Sequence, residues 1–160
     1  MANLVAPHGG KGLTCCLLEG TELEAEKKKA EGLKTRTICP REGGDLIMMG
    51  IGGFSPLTGF MTKADWKGVC DNFLIEDGTF WPIPVTLSAD KADADSIADG
   101  DEIALVSDSG EIMATMKVTE KYEVSIADKK YECEKVYMGE GTATAEEFWK
   151  IAEEDHPGVQ

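Results

Sequence analysis

The chain has 160 residues and a mass of 17.3 kDa, enough for one compact domain with its own core. Apolar residues make up 42%, which excludes a chain disordered by composition. The formal charge of −14 repels phosphate backbones and anionic lipid alike, so nonspecific nucleic-acid or membrane-surface binding is excluded too.

Pro7-His8-Gly9-Gly10 opens the chain as a turn, followed by the apolar stretch Leu13–Leu18. Thr21–Glu31 reads as a helix. Thr21 and Glu24 fit a capping box, Glu24 and Lys28 an i,i+4 pair, and Gly32 a left-handed stop with Leu33 closing over it. Its apolar content is low, so it belongs on the outside, and Lys27-Lys28-Lys29 faces its own glutamates. Thr35–Cys39 is β-prone and ends at Pro40. Arg41–Met49 fits a second helix with Pro40 at its start, although Gly43-Gly44 weakens it by about 1 kcal/mol per glycine.

The run Met48–Met61 is broken by glycines and a proline, yet it carries Phe54, Leu57, Phe60 and Met61. Each apolar side chain left in water forgoes roughly 1.5–3 kcal/mol, so this irregular segment is expected to pack against something. Thr62 then caps a third helix with Asp65 at N3 and Trp66, Val69, Cys70 and Phe73 on one face. Asp77-Gly78 marks a tight turn between Phe73–Ile75 and Phe80-Trp81. Trp81–Leu87, with Pro82 and Pro84, reads as an extended segment at a sheet edge.

Asp90–Asp101 is acidic and rich in alanine, and it ends in the turn Asp99-Gly100-Asp101. Glu102–Ser107 and Glu111–Thr119 form the best hairpin, joined by Asp108-Ser109-Gly110. Ile112, Ala114, Met116 and Val118 alternate with Met113, Thr115, Lys117 and Thr119, the pattern of a half-buried strand. Ile126–Tyr137 is acidic with alternating charge. Thr144 caps a terminal helix with Phe148, Ile151 and Ala152 inward, and residues 155–160 have the composition of a linker. The class expected is α+β with a small, strongly curved or barrel-like sheet.

Catalytic templates fail one after another. Gly50-Ile51-Gly52-Gly53 lacks the Lys-Ser/Thr of a phosphate loop, and Ser55 stands where a dinucleotide-binding loop needs its third glycine. Ser55 has no nucleophile elbow, since Leu57 stands two residues on instead of glycine. Five cysteines with no C-x-x-C spacing and two histidines (His8 and His156) make a poor zinc set, and reduced cytosolic thiols fit better. The aspartates of 90–101 do not match a calcium loop. Trp66, Trp81 and Trp149 sit in apolar patterns and read as core anchors. With neither an apolar run of about 18 residues nor a signal-peptide pattern, a soluble cytoplasmic protein is expected.

Gly52-Gly53-Phe54-Ser55-Pro56-Leu57-Thr58-Gly59-Phe60-Met61 resembles the G-G-F-S-P-L-x-G-F-[ML] signature of the ATP sulfurylase (sulfate adenylyltransferase) family. Pro7–Gly10 resembles that family's P-H-G-G start, and Arg41-Glu42 with Asp45-Leu46 its R-E-x-x-D-L helix. Phe80–Val85 resembles F-[FW]-P-x-P-[VI], Gly100–Leu105 resembles G-D-x-[IV]-A-L, and Asp155–Val159 resembles D-H-P-G-V. The dissimilatory type is the nearest.

The resemblance implies a PUA-like small β-barrel with flanking helices over residues 1–154, then 155–160 as the start of a linker to a catalytic domain absent here. It implies a parent enzyme that converts Mg-ATP and sulfate to adenosine 5′-phosphosulfate and pyrophosphate. The family's Q-T-R-N-P and H-x-x-H-like motifs have no match in these residues, so no catalytic, cofactor-binding or metal residue is carried over. The partner implied is the catalytic domain, in a homo-oligomeric parent, with no nucleic acid and no membrane. Candidate docking residues are Phe54, Ser55, Pro56, Leu57, Gly59 and Phe60; the alternative is that they only fill this domain's own core. A free-standing PUA-like binding module and a small hydrolase using Ser55 are the rival functions, and the −14 charge weighs against an RNA-binding module.

Overall fold

A computed structural model describes residues 5–136. They fall into two compact units, one built from residues 5–60 and Ala98–Thr119, the other from Met61–Ile97 and residues 120–136. The expected helix at 144–152 and linker at 155–160 lie outside the described residues, as does Trp149.

The first unit is organised round a three-stranded sheet in the order β1 (Lys34–Thr37), β2 (Glu102–Val106), β3 (Ile112–Lys117). β1 runs parallel to β2, from Lys34 opposite Ile103 to Thr37 opposite Val106, and Ile38 N extends the ladder to the Val106 carbonyl at 2.8 Å. β2 is buried on both faces from Ile103 to Val106, so its sequence is apolar without alternation. The β2–β3 hairpin forms as its sequence requires: Gly110 takes φ +83°, and Ser107 N bonds to the Glu111 carbonyl at 2.9 Å.

Two sheet expectations change. The described sheet is α+β but open, with β1 and β3 at its edges; the barrel is not closed by the described residues. The alternation expected along β3 is also interrupted. Leu105 pairs with Ala114 but Val106 with Ile112, so Met113 is an extra residue, and Ile112 and Met113 are both exposed. A bulge of this kind turns the strand and removes the strict period of two.

Helix α1 (Gly20–Ala30) starts two residues earlier than its capping box implies. Glu19 is the N-cap, no side chain caps the helix, and Gly20 has φ +57°. Its ion pairs are Glu24–Lys27 and Glu26–Lys29, rather than Glu24–Lys28. The Ala30–Leu33 turn closes through the Leu33 amide without a left-handed Gly32. As expected the helix lies outside, burying only Ala30. It is tied to the sheet by polar contacts, Thr115 Oγ1 to Glu26 at 2.6 Å and Lys29 Nζ to Glu102 at 2.6 Å.

Helix α2 (Pro40–Gly50) follows the sequence expectation, including Pro40 in its first turn and the glycine pair inside it. The buried Glu42 carboxylate accepts the Cys39 amide at 2.9 Å and so caps the helix from within. Both α1 and α2 pack against β3.

The second unit begins with α3 (Lys63–Asn72), where Thr62 Oγ1 accepts the Asp65 amide at 3.2 Å as the sequence requires. Trp66, Val69 and Cys70 are buried. Phe73 is not on that inward face. It is the C-cap, at φ +56°, and is half out in solvent against Phe80, with ring centroids 6.4 Å apart. The Asp77-Gly78 turn forms, with Gly78 at φ +85° and a bridge between Leu74 and Phe80.

Trp81–Leu87 joins no sheet among the described residues; it is tied by the Trp81 amide to the Phe73 carbonyl at 2.8 Å and by the Met61 amide to the Val85 carbonyl at 2.9 Å. The acidic stretch contains a short helix α4 (Lys91–Ser96) capped by Asp90. The last described helix, α5 (Ile126–Val136), packs on α3, and there Trp66 Nε1 donates to Glu132 at 2.5 Å.

Candidate functional site

The segment after α2 winds through a series of short reversals. Ile51 closes the helix, and Gly52 follows with φ +79°. A Cβ on Gly52 would stand 2.9 Å from Cys15 Sγ and 3.4 Å from the Thr14 carbonyl, so glycine is needed here for both conformation and space. Leu57 N bonds to the Phe54 carbonyl at 2.8 Å, and the Ser55–Pro56 peptide is cis.

Ser55 is buried and acts as a clasp. Its Oγ donates to the Gly52 carbonyl at 2.6 Å and accepts the Thr14 amide at 2.8 Å. Both hydrogen-bonding roles of the hydroxyl are taken by backbone, which suits a structural tie and not a nucleophile. Ser55→Ala is therefore expected to lose about 1–2 kcal/mol and to speed amide exchange at Thr14–Leu17. Urea denaturation with hydrogen exchange checks both effects; an unchanged exchange rate removes the clasp.

The six candidate docking residues do not share one fate. Ser55 and Leu57 are buried, while Phe54, Pro56, Gly59 and Phe60 are half-buried. The segment thus fills part of its own core and keeps part of its surface at the solvent boundary.

Chemistry elsewhere is quiet. No group of three His, Cys, Asp or Glu side chains that could hold a metal is present among the described residues. Lys27, Lys29, Lys34, Arg41, Lys67 and Lys91 each lie against a carboxylate of this chain. That arrangement suits self-neutralisation of these six cations. Burial raises the Asp45 carboxyl above its ordinary range against the pull of Arg41, and Glu42 adds to the rise. The Cys70 thiol is pushed up to about 12, chiefly by burial and then by Glu132 and Asp71, which keeps it protonated and unreactive. Cys15 and Cys16 are exposed, and all five cysteines are free. No described helix is long and apolar enough to cross a membrane.

Sequence reasoning missed the surface beside the clasp. Leu13, Leu17, Ile47 and Ile51 are exposed in the same unit. The signal available was the absence of charge: no Asp, Glu, Lys or Arg occurs from Leu46 through Thr62.

Comparison with known proteins bears on what this arrangement serves. The chain is 73% identical, over its whole length, to a sulfate adenylyltransferase of Desulfatibacillum aliphaticivorans, and covers 38% of that protein. It is 65% identical over its whole length to a sulfate adenylyltransferase of Desulfovibrio desulfuricans, covering 37% of it. It thus spans well under half the length of these curated relatives. A solved hexameric APS kinase from Thiobacillus denitrificans resembles it with a TM-score of 0.66 and 34% identity, over 75% of this chain and 24% of that one. The model of the PUA-like domain matches residues 5–160, and with that match over nearly its full length the chain belongs to the PUA-like domain family.

Proposed function

We propose that this chain is the N-terminal, noncatalytic part of a sulfate adenylyltransferase, and that it serves as a folded support on which the catalytic part docks. The single observation carrying this reading is 73% identity across the entire chain to a protein of that name, of which the chain covers 38%. The chemistry of the described residues agrees with a supporting role, because Ser55 is engaged by backbone and the cations named above are engaged by carboxylates.

Mg-ATP and sulfate are then handled by polypeptide outside these residues, and the part of this chain is to seat that polypeptide. Phe54, Pro56, Gly59 and Phe60 are the proposed contacts, with Ser55 and Leu57 holding the segment from below. A homo-oligomeric parent is supported by the likeness to a solved protein that is itself hexameric. A cytoplasmic location accords with five free cysteines.

The test is sulfate-dependent release of pyrophosphate from Mg-ATP. The 160-residue chain alone is expected to give none above background, and the longer polypeptide that contains it is expected to be active. Sulfate-dependent turnover by the chain alone, in a preparation free of other enzymes, overturns the proposal.

A further inference from the structure

Uncharged surface is the least expected feature of a chain in which charged residues make up 29%. Leu46 through Thr62 contains none, and neither does Gly12 through Leu18. Both stretches keep large apolar side chains in water: Leu13 is 71% exposed, Leu17 62%, Ile47 55% and Ile51 60%. The stretches run side by side, because Cys16 N bonds to the Met49 carbonyl at 3.2 Å and Leu17 N to the Gly50 carbonyl at 3.1 Å.

Helix α2 has no internal reason for this composition. Leu46, Ile47, Met48 and Met49 occupy consecutive helical positions and so point in four directions about 100° apart. Met49 alone of the four is buried in this unit. The charges of α2, Arg41, Glu42 and Asp45, lie in its first six residues, so its last turn is apolar on every side, and such a surface is ordinarily covered. The N-terminal stretch poses the same question. It is held in place by backbone bonds and by the Ser55 clasp, yet Leu13 and Leu17 gain no burial from being held.

The geometry points to the face formed by Leu13, Leu17, Ile47, Met48 and Ile51 as the seat of the polypeptide that the relatives carry beyond the stretch matched here. This rests on the function proposed above and locates its main contact beside the Phe54–Phe60 segment. Three observations favour that occupant. The relatives are far longer, this chain covering 38% and 37% of them. Depletion of charge, with methionine among the apolar residues, is the composition of an interface core. A covalently attached partner acts at an effective concentration in the millimolar range, so an apolar contact too weak to hold a free partner still adds to holding this one. A second copy of the chain would bring up another formal charge of −14 against the first, and an anionic lipid or RNA surface meets the same repulsion.

The test compares hydrogen exchange of residues 12–18 and 46–54 in the 160-residue chain and in the full-length polypeptide. Exchange there is expected to slow about tenfold or more in the longer protein. The double substitution Leu17→Asp, Ile51→Asp is expected to leave the urea midpoint of the short chain unchanged and to abolish the added protection in the long one. Equal exchange in the two unsubstituted proteins overturns the proposal, as does a lowered midpoint in the substituted short chain. Pyrophosphate release by the same full-length preparation separates the two readings. Activity without added protection sinks the surface alone; added protection without activity supports the surface and sinks the enzymatic assignment.

Discussion

Leu105→Ala is expected to cost about 2–5 kcal/mol, the largest effect of any single substitution considered. Leu105 is fully buried in the central strand, with β1 on one side and β3 on the other. It pairs with Arg36 and with Ala114, next to the point where the β2–β3 register shifts. Neither neighbour carries spare apolar volume towards it, since Ala114 is small and Arg36 ends in a guanidinium. Urea denaturation followed by far-ultraviolet circular dichroism measures it. A loss under about 1 kcal/mol would mean that the strand is not the centre of this unit's core.

The second large effect lies in the other unit and has the opposite sign from what helix propensity gives. Alanine in place of an exposed glycine inside a helix ordinarily gains up to about 1 kcal/mol. Gly68 is inside α3, yet a Cβ there would stand 2.5 Å from the carbonyl oxygen of Leu74. That oxygen is backbone and cannot swing away. The Leu74 amide bonds to the Gly68 carbonyl at 3.3 Å, and Leu74 bridges to Phe80 across the Asp77-Gly78 turn. Gly68→Ala is expected to lose about 1–3 kcal/mol net, through displacement of the chain leaving the helix. Gly44→Ala in α2 is the control, because nothing lies within 4 Å of its Cβ and it should be neutral or mildly stabilising. Tryptophan fluorescence follows the first of these, with Trp66 and Trp81 both buried in the second unit. A gain of stability at Gly68 would show that the chain does not pass so close.

The elements legible in the sequence were those whose cause is local. The β2–β3 hairpin follows from Asp108-Ser109-Gly110 between two apolar runs, and α3 follows from Thr62 capping a helix with Trp66, Val69 and Cys70 in phase. The start of α2 at Pro40 is local as well. Expectations failed where two local signals competed or where the third dimension decided. At α1 the Glu19–Gly20 junction supplied the start before Thr21 could cap. Along β3 the bulge at Met113 overrode a clean alternation. Phe73 was drawn off its helical face by the left-handed cap that sends the chain into the next turn.

The candidate site divides in the same way. Its position in the chain was legible, because glycine, proline and large apolar side chains together mark a segment that must pack. Its role was not. Ser55 becomes a clasp only because Thr14, distant in sequence, brings its amide to 2.8 Å.

By itself, then, the order of residues determined the acidic α+β character, the Asp77-Gly78 and Asp108-Ser109-Gly110 turns, the starts of α2 and α3 and the absence of a familiar catalytic pattern, all of which depend on neighbours a few positions apart. Only the tertiary structure decided that β1 pairs in parallel with β2 and that the described sheet stays open. It also decided that Gly68 has no room for a methyl group and that the outer side of α2 is left in water. Those outcomes depend on which distant stretches meet, and hydrophobicity, being non-directional, states that a side chain seeks cover without stating what provides it.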